Sequence, residues 1–136
     1  MTLDEATRLR LLTGPGGGFP LTHVTVGGQR LEMFDRDPRT MRDAFLATTA
    51  HAERTAIVYD DQRWTYQAQW DEVVALAHGL RDLGVGKGDR VGIAMRNYPE
   101  FVFTFWATQL LGAVAVPFNG WLKTRELAER VASARP

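Results

Sequence analysis

The chain contains no cysteine, and that single absence removes disulfides, thiolate zinc ligands and a thiol nucleophile together. It also lacks net charge: sixteen basic and sixteen acidic residues cancel over 136 positions. No Lys/Arg block longer than two or three residues breaks that balance, so there is no electrostatic footprint for nucleic acid or for an anionic membrane surface. A secretory leader is not expected either. Met1-Thr-Leu-Asp-Glu5 puts two acids where such a signal carries basic residues, and no apolar core follows. These features are compatible with the cytoplasm, which is the expected location.

Histidine is scarce and scattered. His23, His51 and His78 have no i, i+4 partner and no surrounding carboxylate pattern, so surface or core roles are expected rather than metal binding or general base catalysis. Asp35 with Asp37, and Asp60 with Asp61, read as turn formers rather than acid/base pairs. Long apolar runs are also few. The one stretch to weigh is Phe101–Phe118, eighteen residues without a charge, where a spanning helix needs about 20 to cross a hydrocarbon core of roughly 30 Å. Thr104, Thr108 and Gln109 interrupt it, and Gly112 followed by Ala-Val-Ala-Val-Pro117 reads as a helix end and then a strand. No membrane span is expected.

What is present is a 45% hydrophobic composition, enough for a globular domain with a sizeable buried fraction. Leu3, Leu9, Leu11 and Leu12 sit at helical spacing before Gly14-Pro-Gly-Gly-Gly18, a glycine run with no preceding strand and no terminal Lys followed by Ser or Thr. It reads as a connector rather than a phosphate loop. His23–Val26 and Gln29–Phe34 around Gly27-Gly28 give a hairpin signal. A helix is expected from Thr40 as N-cap through Met41, Ala44, Phe45 and Ala47. Ala56–Tyr59 and Arg63–Tyr66 around Asp60-Asp61 make a second hairpin, and both hairpins are expected to decorate the edge of a larger sheet.

The strongest amphipathic signal runs from Tyr66 to Leu83, with Trp70, Val73, Val74, Ala77, Leu80 and Leu83 on one stripe, Thr65 as N-cap and Gly84 as the left-handed stop. Gly84-Val-Gly-Lys-Gly-Asp89 then leads from helix to strand, the reverse of the strand-loop-helix order that phosphate binding uses, and so reads as a structural turn. Val91–Met95 is a continuous apolar run, expected as a strand covered on both faces. Pro99 and Glu100 suit the first turn of a helix. That helix returns the chain to Ala113–Val116, expected to pair parallel with the Val91 strand. Thr124 is expected to cap a last helix that buries Leu127, Ala128, Val131 and Ala132.

Asn97-Tyr98-Pro99-Glu100 with Phe101, then Gly112-Ala-Val-Ala-Val-Pro117, preceded by Lys87-Gly-Asp-Arg-Val91 and Arg63-Trp-Thr-Tyr66, resemble in order and spacing the N-terminal region of the adenylate-forming acyl-CoA synthetases, the AMP-binding enzymes. The resemblance covers nearly all of residues 40–136. It implies an α/β fold: a partial N-terminal subdomain with one parallel strand-helix-strand unit and small flanking hairpins. Residues 1–39 would form a helix, a Gly-rich connector and a hairpin, and residues 40–136 an incomplete AMP-binding domain.

The resemblance also implies a chemistry. A carboxylate is a poor electrophile, so the family joins it to AMP at the expense of ATP, with Mg2+, and then passes the acyl group to the thiol of CoA. The family's Thr/Ser/Gly-rich phosphate loop ending in Pro-Lys-Gly, its Tyr-Gly-x-Thr-Glu segment, its ribose-binding aspartate motif and its C-terminal catalytic lysine segment do not occur in this sequence. The chain therefore looks like about the first quarter of such a ligase. On its own it is expected to have no catalytic residues, no activity and no need of ATP, Mg2+ or CoA, which with the carboxylic acid (a fatty or aromatic one) belong to the parent enzyme. By the resemblance Trp121 and Lys123 lie near the CoA entrance, Trp121 in a slot where some members place a basic residue. An indole there can stack on adenine and an ammonium can meet a phosphate. Cut sheet edges would favour self-association. The alternatives are a non-catalytic interaction module and a small membrane-anchored protein.

Overall fold

The computed structural model describes residues 3–35 and 38–136; Asp37 lies outside them. The chain forms two compact units, Met1–Arg39 and Thr40–Pro136.

In the first unit, helix α1 (Glu5–Thr13) is capped by Asp4, whose carboxylate accepts the Thr7 N–H at 2.9 Å and the Thr7 hydroxyl at 2.7 Å. These bonds hold the Asp4 carboxyl below its ordinary value. The helix stops at Gly14. Strands β1 (Leu21–Val26) and β2 (Gln29–Phe34) pair antiparallel with Val26 opposite Gln29. Gly27 and Gly28 between them both have positive φ, 56° and 82°, the backbone a two-residue hairpin turn demands.

The second unit begins with α2 (Met41–Ala47), where the Thr40 hydroxyl accepts the Asp43 N–H at 3.0 Å. A short 3-10 turn follows at Thr48–His51. β3 (Thr55–Tyr59) and β4 (Gln62–Thr65) form an antiparallel hairpin turning at Asp60, φ 51°. Thr65 then caps α3 (Tyr66–Asp82) by accepting the Ala68 N–H at 3.1 Å. β5 (Arg90–Met95), α4 (Pro99–Leu110) and β6 (Val114–Asn119) form the expected crossover. The strands are parallel and in register from Arg90–Val114 to Met95–Asn119. α5 (Thr124–Ala134) ends the described chain.

The core lies among helices. Phe45, Val73, Ala77, Phe103 and Ala107 are buried together, with Trp64, Trp70 and Trp106 packed against them. Phe45 stacks on Trp70 with ring centroids 5.4 Å apart and on Trp106 at 5.0 Å, so one ring joins α2, α3 and α4. Trp64 of β4 meets Phe103 of α4 edge-on at 5.8 Å. The apolar run after Phe101 divides into α4 and β6 at Gly112, φ 70°. No helix among the described residues is long and apolar enough to cross a membrane.

Four expectations are corrected. No larger sheet exists among the described residues: the strands form three separate two-stranded sheets, and the β3–β4 hairpin packs on α3 and α4 through Trp64 instead of extending β5–β6. β5 is not evenly covered. Ile93 is fully buried, but Gly92 and Ala94 are exposed, because α5, which packs against β6, buries no residue completely. Leu83 leaves the α3 stripe and is 84% exposed. It is the C-cap, and Gly84 at φ 94° turns the chain away directly after it. Finally, Lys123 rather than Thr124 occupies the N-cap of α5, with its N–H donating to the Glu126 carboxylate at 3.0 Å. The apolar stripe of α5 is largely open, with Val131 40% exposed.

Candidate functional site

Parallel pairing sets where a ligand can be held. In open parallel sheets the space beyond the carboxyl ends of the strands is not filled by the sheet itself, and the loops leaving it converge there. Met95 lies opposite Asn119, so the chain leaves β5 and β6 side by side. After β5, Arg96–Tyr98 lead to Pro99 at the start of α4. After β6, Gly120–Lys123 lead to α5.

Local chemistry shapes both exits. The Asn119 side-chain oxygen accepts the Trp121 N–H at 3.0 Å, and its backbone carbonyl accepts the Leu122 N–H at 3.1 Å, folding Asn119–Leu122 into a tight turn. Gly120 lies so close to the end of β5 that a Cβ there would stand 2.8 Å from the Arg96 nitrogen. This turn carries the Trp121 indole across to Arg96, whose guanidinium carbon lies 3.7 Å from the centre of the indole ring. Trp121 is nonetheless 73% exposed. Among the described residues the Arg96 side chain has no carboxylate partner and no hydrogen bond.

Beneath this stack is a cleft of about 540 Å³, floored by Met95, Phe101, Pro117 and Phe118 and rimmed by Arg96, Asn97, Asn119 and Trp121. A second cleft, about 330 Å³ and mainly apolar, lies between β3 and the start of α4, where Ile57, Val58 and Val102 face Tyr98 and Pro99. The two clefts share Asn97 and Phe101. Tyr59 and Tyr98 meet edge-on at 5.8 Å beside the second. Desolvation raises the Tyr59 phenol above its ordinary value, with the charge of Asp60 adding to it, so Tyr59 is a neutral hydrogen-bonding group at neutral pH.

The structure brings Trp121, one of the two residues singled out from sequence, to the rim of the larger cleft. Lys123 does not line it and instead begins α5. Arg96 escaped sequence reasoning. The available signal was its place directly after a buried strand and before a helix-starting proline, but its partner is distant in sequence and only the parallel register brings the two together.

The remaining candidates stand apart from these clefts. In the turn before β5 the Asp89 carboxylate accepts the Gly86 N–H at 2.8 Å, so an acidic group of the chain already occupies this glycine-rich turn. The described residues contain no group of three His, Asp or Glu side chains placed to hold a metal ion. His23 meets Glu32 at 3.5 Å on the exposed hairpin β1–β2, and His51 rests against Tyr66.

A family model described as AMP-binding enzyme matches residues 45–136. A 4-hydroxybutyrate–CoA ligase of Metallosphaera sedula is 37% identical over 76 residues, a match covering 56% of this chain and 14% of that protein. The acyl-CoA ligase sidI of Beauveria bassiana is 34% identical over 117 residues, covering 85% of this chain and 18% of that one. Among solved structures, the N-terminal subdomain of NpsA from Klebsiella oxytoca, in complex with anthranilyl-AMSN, superposes with a TM-score of 0.67 at 29% identity, over 71% of this chain and 25% of that one. The chain thus spans under a fifth of the length of these two curated relatives.

Proposed function

The chain belongs to the AMP-binding enzyme family, and on that premise we propose that it is the N-terminal segment of an ATP-dependent carboxylic acid–CoA ligase. The observation that carries this reading is the match over residues 45–136, which takes in the whole β5–α4–β6 crossover and the core around Phe45. The relatives named as CoA ligases support it. The parent enzyme uses a fatty or aromatic acid, ATP with Mg2+, and CoA, in the cytoplasm. Residues 40–136 are the incomplete AMP-binding part, and residues 1–39 are a separate lead-in of helix, connector and hairpin.

In this reading the 136 residues are scaffold. Trp121 and Lys123 approach the CoA entrance of the parent, where the exposed indole stacks on adenine and the ammonium meets a phosphate. Forming an acyl adenylate requires donors and positive charge around a triphosphate, and no motif in these residues supplies them. The purified chain is therefore expected to release no pyrophosphate and form no thioester when given acid, ATP, Mg2+ and CoA. Acid-dependent pyrophosphate above the blank would sink the assignment of an inactive segment.

A second reading, a non-catalytic interaction module, is favoured by one observation: among the described residues the three two-stranded sheets leave strand edges without a neighbouring strand. Self-association through those edges is the expected behaviour. In sedimentation velocity, species heavier than the 15.2 kDa chain should grow with concentration. A single species of that mass across the whole range would remove self-association through the sheet edges.

A further inference from the structure

We propose that the cleft between the end of β3 and the start of α4 binds a small quaternary ammonium ion, held against the rings of Tyr59 and Tyr98 with Glu100 as its counter-charge. The ligand needs no carboxylate, and its binding is separate from the ligase reading.

The walls are aromatic. Tyr59 ends β3 and Tyr98 directly precedes α4, so the fold brings together two positions far apart in the chain. Their rings lie 5.8 Å apart with an interplanar angle of 86°. Two rings at a right angle make a corner, in which a cation meets the negative face of one ring and stays within reach of the other. A cleft of about 490 Å³ opens at this corner, lined by Tyr59, Tyr98, Gln62, Met95, Pro99 and Glu100. The Met95 thioether is a polarizable surface for N-methyl groups. Pro99, at the first position of α4, brings no N–H that would prefer an anion.

The charge is of one sign. No Lys, Arg or His lines this cleft. Among the described residues the Glu100 carboxylate has no ion pair and no hydrogen bond, and neither has that of Asp60 in the turn after Tyr59. Desolvation raises the Tyr59 phenol, and the charges of Asp60 and Glu100 add to it. The field that opposes a phenolate favours a cation at the same place. A primary ammonium is strongly hydrated, and ring faces offer its N–H groups no lone pairs in exchange. A fully methylated nitrogen has no N–H to satisfy and presents an apolar surface to the rings.

The test is a proton NMR titration of the 136-residue chain with choline, with dimethylbutanol, its uncharged tert-butyl isostere, and with glycine betaine. The N-methyl signal of choline should move upfield as the rings shield it, and choline should bind roughly tenfold more tightly than the isostere. Glycine betaine, whose carboxylate meets Glu100, should bind more weakly than choline. Tyr98→Leu, at a position 40% exposed and so tolerant of change, should bring choline down to the affinity of the isostere, whereas Tyr98→Phe, which keeps the ring, should bind choline as the parent does. Glu100→Gln should weaken choline and leave the isostere unchanged. Equal affinities for choline and its isostere, no saturable shift with choline, betaine binding as tight as choline, or parental choline binding by a Tyr98→Leu variant with unchanged melting would each overturn the proposal.

Discussion

Replacing Phe45 by alanine is expected to bring residues 40–136 close to unfolding. Its ring is 1% exposed and is stacked between Trp70 and Trp106, so truncation removes the contact surface of two indoles as well as one buried side chain. Deletions of this kind cost about 3–5 kcal/mol, and a domain of this size has only about 5–15 kcal/mol in all. The described residues hold few completely buried large side chains, namely Phe45, Ile93, Val73 and Thr108, which places the unit toward the low end. The melting midpoint should fall by about 15–30 °C, since each kcal/mol is worth roughly 4–8 °C in a domain of 60–100 residues. Phe45→Leu, which keeps part of the volume, should lose less. A Phe45→Ala midpoint within about 5 °C of the parent would mean the helices are held together by something other than this aromatic stack.

The second large effect is expected at Gly120. A Cβ there would stand 2.8 Å from both the Arg96 nitrogen and the Met95 carbonyl carbon and 2.9 Å from the Met95 oxygen. All three are backbone atoms at the end of β5, so relief requires the exits of β5 and β6 to separate rather than a side chain to swing aside. Gly120→Ala should therefore cost about 1–3 kcal/mol, the usual price of forcing atoms into a filled space. It should also break the Arg96–Trp121 stack. Gly86→Ala is the natural control, because its added methyl would meet only the Asp89 carboxylate at an ordinary 3.8 Å. Chemical denaturation that finds the two alanine variants equally stable would show that the strand exits are not held together at Gly120.

Much of the fold is legible because it is written locally. Thr40 and Thr65 cap their helices through hydroxyls that reach only three residues ahead, Gly27-Gly28 sets its own turn, and the β5–α4–β6 order follows from two apolar runs around a proline-started helix. Errors arise where distant contacts decide. Thr is the better N-cap by preference, yet the turn anchored on Asn119 leads the chain into α5 one residue earlier, and the Glu126 carboxylate secures the Lys123 N–H. An apolar run such as Val91–Met95 reports that a strand can be buried on both sides, not whether anything covers the second side. Trp121 was visible as a candidate because it is a large aromatic just past a strand. Arg96 was not, because nothing local joins positions 96 and 121.

The parallel pairing of β5 and β6 also orders events in time. Hairpins β1–β2 and β3–β4 each close over a two-residue turn and can form within about 1–10 μs. Residue 90 can meet residue 114 only after α4 has been wound and laid between them, and the entropy of closing that loop is lost before a single inter-strand bond is made. The cleft at the ends of β5 and β6 then forms after both hairpins, and a nascent chain exposes Ile93 and Phe118 until α4 is in place.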